Sequence, residues 1–227
     1  ATIAGADVNG DGVDELIFSD SQFAHSPGTY ANAKGEVYVF TGGALSGTQS
    51  LTSPTSLLHV VRTEIQGNTG ARIVVIRQPR AGDTADWLAI NATGDREVRI
   101  FKGTSNPGVG ETAGLLPATY NTEEIAGITY TSLDQTDWSG ASTGSDYGFE
   151  VVTANIGRNY LVVSSGTGTA ATFFYSYDAA SDNIVKRALI PGDGSAGNSY
   201  KLQGGTVAGA GNLIILNRIS SDLIRLK

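Results

Sequence analysis

Six residues near the N-terminus are placed to bind a hard metal ion. Asp7, Asn9, Asp11, Gly12, Val13 and Glu15 form a D-x-N-x-D-G-x-x-E segment. Hard cations such as calcium take about six to eight oxygen ligands in a flexible shell. Side chains at alternate positions of a tight loop point inward together. Asp7, Asn9 and Asp11 would supply side-chain oxygens, and Val13 its carbonyl. Glu15 would close the shell, while Gly12 allows the sharp backbone turn. Asp14 is expected to face solvent. The spacing opens like an EF-hand loop, D-x-[DN]-x-[DN]-G. An EF-hand needs Glu at the twelfth position and a helix leaving the loop, but the twelfth residue is Phe18, inside an apolar run. A metal-free Asp/Asn/Gly turn would use the same residue types, but would leave four acidic residues crowded into nine positions.

Other matches to reactive motifs are weak because their context is wrong. Gly140-Ala141-Ser142-Thr143-Gly144 fits G-x-S-x-G, yet it lies in a polar Ser/Gly/Thr stretch and not between a strand and a helix. Gly192-Asp193-Gly194-Ser195-Ala196-Gly197 fits G-x-G-x-x-G without a βαβ unit and reads as a turn. His25 and His59 have no metal-ligand partner at useful spacing. Glu123 and Glu124 are adjacent and would face apart on a strand. With no defensible catalytic constellation, the expectation is a non-enzymatic protein. Trp87, Trp138, Tyr120, Tyr130 and Tyr147 could stack on sugars or pack on a partner; Trp87 reads as core and Trp138 as surface. Asn91-Ala92-Thr93 fits the glycosylation acceptor pattern.

The elements that must carry the loop are strands. The 227 residues include 30 glycines and only 6 prolines. Short β-branched runs bounded by Gly, Asn, Asp and Ser dominate, which is the pattern of an all-β sandwich, barrel or propeller. Strands are expected over 2–6, 15–18, 36–40, 57–61, 72–77, 87–90, 98–101, 149–154, 160–164, 172–177, 184–189, 201–208, 213–216 and 223–226. Only 121–133 is ambiguous. The runs recur as strand, polar turn, apolar strand, loop and aromatic-containing strand, the turns falling at 7–14, 81–86, 155–159 and 209–212. Leu16, Leu88, Leu161 and Leu213 mark equivalent strands, spaced by roughly seventy, seventy and fifty residues, which is propeller-blade size. The fold expected is an all-β, β-propeller-like single domain of about four antiparallel units, near 1–63, 64–132, 133–190 and 191–227, either a small propeller or part of a larger ring. A long excursion fills 104–148.

Composition narrows the partners. Net charge is −7 with no Lys/Arg cluster, which speaks against nucleic acid and anionic membrane surfaces. No apolar run approaches the about 20 residues of a spanning helix. The chain has no cysteine, hence no disulfide, zinc-thiolate site or cysteine nucleophile. It has no methionine either, and Ala1 resembles the first residue of a mature secreted chain.

Asp7-Val8-Asn9-Gly10-Asp11-Gly12-Val13-Asp14-Glu15-Leu16-Ile17-Phe18, with Gly35-Glu36-Val37-Tyr38-Val39-Phe40-Thr41-Gly42, resembles the FG-GAP repeat of integrin alpha-subunit propellers and related bacterial surface proteins. The likeness covers residues 5–43; other units keep only the strand skeleton. Asp86-Trp87-Leu88-Ala89-Ile90 is similar to the second strand without its loop, and Tyr147-Gly148-Phe149 to a shuffled Phe-Gly opening. The resemblance implies a loop that binds calcium between a blade's innermost and second strands. The family more often has Asp where Glu15 stands, a difference that bears on affinity. It also usually builds seven blades. The function expected is a secreted or cell-surface calcium-binding domain for adhesion or assembly of extracellular structures, with a protein or glycan partner or further copies of itself. The alternative is a carbohydrate-binding, lectin-like propeller or an accessory domain of a carbohydrate-active enzyme.

Overall fold

The computed structural model describes residues 1–21, 35–40, 42–43, 47, 57–62, 70–92, 97–105, 114–115, 130–134, 147–155, 158–165, 171–190, 200–207, 210–217 and 223–226. All regular structure among them is strand. In chain order the strands are β1 Thr2–Ala6, β2 Glu15–Asp20, β3 Glu36–Phe40, β4 Leu57–Arg62, β5 Ile73–Ile76, β6 Trp87–Ala92, β7 Glu97–Phe101, β8 Gly103–Thr104, β9 Gly114–Leu115, β10 Tyr130–Asp134, β11 Tyr147–Asn155, β12 Asn159–Ser165, β13 Thr172–Asp178, β14 Asn183–Ile190, β15 Tyr200–Val207, β16 Ala210–Asn217 and β17 Leu223–Leu226. The all-β expectation therefore holds. The chain divides into two compact units, residues 1–95 with 99–131, and 96–98 with 132–227.

In the first unit one sheet runs β1-β2-β3-β4 and a second β10-β7-β6-β5. The two-residue strands β8 and β9 pair with each other. β2 shows why its sequence makes a strand. Glu15, Ile17 and Ser19 are buried, while Leu16, Phe18 and Asp20 are only partly so, the period of two that puts alternate side chains on opposite faces. Ile17 joins Ala6, Val8, Val37, Val39, Leu88, Ile90 and Phe101 in a core shared by both sheets. Leu16 and Phe18 lie on the other face with Tyr38 and Phe40. Phe18 and Tyr38 are direct cross-strand partners, with ring centroids 6.3 Å apart. All six residues of β6 are buried. Trp87, as expected, belongs to the interior, with Arg80 and Lys102 each against its ring at 5.3 and 5.1 Å.

The first strands of the two sheets, β1 and β5, pack together. Ser19 ties one end of this contact. Its hydroxyl donates to the Gly70 carbonyl at 2.6 Å and accepts the Thr2 N–H at 3.0 Å. Gly70 has φ 83, and a Cβ there would lie 2.7 Å from both Ser19 Cβ and Val37 Cγ2. Glycine is needed there on both counts. Because Ser19 is fully buried, Ser19→Ala should cost about 1–3 kcal/mol, mainly by leaving the buried Gly70 carbonyl without its donor. Urea unfolding measures this, and a variant as stable as wild type would show that the tie contributes nothing.

In the second unit one sheet runs β11-β12-β13-β14 and another β15-β16-β17. The first strands are again neighbours, β11 beside β15. Tyr160 meets Phe174 edge-on at 5.9 Å. The β13–β14 turn is held by Asp178, whose carboxylate accepts the Ser181 N–H and hydroxyl at 3.0 and 2.9 Å. These bonds, with help from Arg187, hold its pKa below the ordinary carboxylate value.

Several boundaries differ from expectation, most by one or two residues. Neither Arg72 nor Arg77 is part of β5, and the Arg77 guanidinium reaches Asp14 and Asp86. The turn placed at 209–212 is shorter. β15 and β16 stay paired as far as Val207 and Ala210, so residues 210–212 satisfy their backbone groups in the ladder. β10 lies at the end of the 104–148 excursion.

Candidate metal centre

The loop joins β1 to β2, whose last ladder pair is Ala6 with Glu15. Residues 7–14 must therefore reverse the chain within a hairpin. Gly10 and Gly12, at φ 74 and 87, make the reversal in the left-handed region that glycine adopts at little cost. Asp7 organises the turn. Its Oδ1 accepts the N–H groups of Gly10 and Asp11 at 2.6 and 3.1 Å, and its Oδ2 that of Gly12 at 2.8 Å. Two short-range side-chain turns follow: Asn9 Oδ1 accepts the Asp11 N–H at 2.9 Å and Asp11 Oδ1 the Val13 N–H at 2.8 Å. Asp and Asn favour turns because they bind their own downstream amides in this way.

Glu15 is 1% exposed. Its Oε2 accepts the Val8 N–H at 2.9 Å and its Oε1 the Asn9 amide at 3.1 Å. The same Asn9 NH₂ donates to Asp11 Oδ2 at 3.2 Å. The loop thus collects Asp7, Asn9, Asp11 and Glu15 around one small region, with the Asn9 amide nitrogen between two carboxylates. Among the described residues no three His, Cys, Asp or Glu side chains converge as a ready-made metal cage.

The electrostatics are unbalanced. Arg77 bridges Asp14, at 3.3 Å, and Asp86, and its second nitrogen donates to the Gly5 carbonyl at 3.3 Å. Among the described residues the ion pairs involve Asp14, Asp83, Asp86 and Asp178, not Asp7, Asp11 or Glu15. Burial pushes the Glu15 carboxyl above its ordinary 4.5, and the charges of Asp11 and Asp7 add to this against the Val8 hydrogen bond. The folded chain therefore takes up this proton before the unfolded chain does. The stability tied to it is full below about 4.5 and is lost as pH rises through the folded value. In chelator, wild type should gain stability relative to Glu15→Gln as pH falls from neutral toward the ordinary value of 4.5. A melting-temperature difference that stays constant across that range would contradict the assignment.

The structure brings Asp7, Asn9, Asp11, Val13 and Glu15 together in one loop. Asp14 is half exposed but is held by Arg77. His59 sits in β4 opposite Val39, and Tyr130 and Tyr147 open β10 and β11. His25, Tyr120, Glu123, Glu124, Trp138 and the segments 140–144 and 192–197 lie outside the described residues. Asn91 is no glycan acceptor in the folded chain. It is fully buried, and its amide oxygen accepts the Arg72 N–H at 2.6 Å.

Sequence reasoning passed over Arg77, Asp83 and Asp86, which lie in the equivalent turn of the second sheet. Asp86 Oδ1 accepts the Gln78 N–H at 3.2 Å, while its Oδ2 accepts the Asp7 N–H at 3.1 Å. Asp83 Oδ1 accepts the Ser105 N–H and hydroxyl at 3.0 and 2.6 Å. Burial opposes the Asp83 charge, but these bonds outweigh it and lower its pKa. The signal is two carboxylates, Asp83 and Asp86, within the expected turn at 81–86. No family model matches the chain, and no curated protein matches it at a significant level.

Proposed function

We propose that this chain is a non-enzymatic, calcium-binding domain of propeller type, related to FG-GAP repeats, that acts outside the cell in adhesion or in assembling surface structures. The observation that carries the reading is the set of oxygen donors between β1 and β2, whose carboxylates Asp7, Asp11 and Glu15 have no cationic partner among the described residues. Asp7, Asn9, Asp11, Glu15 and the Val13 carbonyl would hold the ion. The donors fit a hard cation in kind, since all are oxygens and three carry charge. Burial does most to raise the Glu15 pKa, and a divalent ion would offset both that and the smaller contribution from the charges of Asp11 and Asp7. For Asn9 to take part, its amide would turn its oxygen toward Asp11 and Glu15. The ion's role would be structural, bracing the two strands.

Repetition supports the propeller reading. Four sheets follow one another in sequence, each beginning with the strand that lies at its edge. Those edge strands are neighbours within each unit. The extracellular assignment fits calcium supply, since modules outside cells work at about millimolar calcium or somewhat below. No described helix is long and apolar enough to cross a membrane. The partner would be a protein or glycan at the cell surface, or another copy of the chain. Nothing specific favours the carbohydrate-binding alternative: Trp87 is spent in the core, and Trp138 lies outside the described residues. Calorimetric titration of the chelator-treated chain with calcium tests the proposal. Saturable binding of one ion is expected, and the absence of binding at millimolar calcium would sink it.

A further inference from the structure

The loop over residues 7–15 is not a free hairpin tip. It is seated on two segments, residues 84–86 just before β6 and residues 103–105, which begin with β8. The Asp86 N–H donates to the Asp7 carbonyl at 2.7 Å, the Thr104 N–H to the Val8 carbonyl at 3.1 Å, and the Thr84 hydroxyl to the Gly10 carbonyl at 3.0 Å. Two glycines permit the approach. A Cβ on Gly103 would stand 2.1 Å from the Asp86 carbonyl oxygen and 2.6 Å from that of Val8. A Cβ on Gly10 would stand 2.2 Å from Ser105 Cβ and 2.5 Å from the Thr84 hydroxyl. Asp7, Val8 and Gly10 are thus held through their backbone by residues far away in sequence. Those carbonyls and the carboxylates beside them belong to one short piece of chain, so fixing the first limits where the second can go.

We propose that residues 84–86 and 103–105 position the cation loop, so that cation binding and docking of the first two sheets form one linked equilibrium. This rests on the calcium reading above. Thr84, Gly103, Thr104 and Asp86 are positioning residues and supply no ligand. Linkage is reciprocal: if docking favours the ion, the ion must favour docking by the same factor.

The test uses the full chain, with calcium as the probe. Thr84→Val removes the hydroxyl and keeps the shape; it should weaken calcium binding about fivefold, the worth of one hydrogen bond, and Thr84→Ser should restore it. Gly103→Ala should weaken binding by about tenfold or more, because backbone must move to admit the methyl group. In the unmodified chain, calcium should slow hydrogen exchange at the Asp86 and Thr104 amides by about tenfold or more, as expected for opening that is linked to ligand release. A purely structural role for Thr84 would lower stability without moving calcium affinity. If the unmodified chain binds no calcium, both readings fall. If it binds calcium, Thr84→Val binds equally well and the two amides exchange at the same rate with and without the ion, the linkage alone falls.

Discussion

Asp7→Ala should lower the unfolding free energy by about 3–5 kcal/mol in chelator and abolish calcium binding. The stability loss follows from geometry. One carboxylate, 9% exposed, accepts three backbone N–H groups from Gly10, Asp11 and Gly12. Hydrogen bonds to a charged group contribute about 1.5–3 kcal/mol each, and because these three act as one turn their losses do not simply add. Asp7→Asn, which keeps one oxygen acceptor, should fall between. Denaturant unfolding without metal measures the first effect and calorimetry the second. Unchanged stability in chelator would mean that the loop's shape does not depend on Asp7.

Asp11→Ala should behave differently, and the contrast separates shape from ligation. Asp11 is exposed and holds only the Val13 N–H and the Asn9 amide. In chelator the variant should lie within about 1 kcal/mol of wild type. With calcium at about a hundred times the dissociation constant, wild type should gain about 2.7 kcal/mol by mass action, and the variant should gain little or nothing. Thermal melts with and without calcium read this directly. An equal gain in both proteins would remove Asp11 from the ligand set and with it the central argument for the site.

The strands were legible because their signal is local. Alternation in β2, the aromatic run of β3 and the apolar run of β6 follow from side chains pointing to opposite faces at every second residue, and neighbouring residues suffice to show it. The loop was legible for a related reason: Asp7, Asn9 and Asp11 cap amides only a few residues ahead of them. Asn91 shows where local reading stops. Asn-Ala-Thr looks the same whether or not the residue is buried, and only the pairing of β6 with β5 places its amide on Arg72.

The loop itself marks the same boundary. Near neighbours alone make residues 7–15 turn sharply, concentrate negative charge and lead into a strand, because turn chemistry and charge spacing are local. What that turn rests on comes from long-range packing. Asp86 reaches Asp7 across 79 positions, and Arg77 reaches Asp14 across 63. Gly103 is required by the carbonyls of Val8 and Asp86, not by any turn of its own. No local pattern encodes such contacts, since they exist only once two sheets have buried a common core and brought their loops within hydrogen-bonding distance.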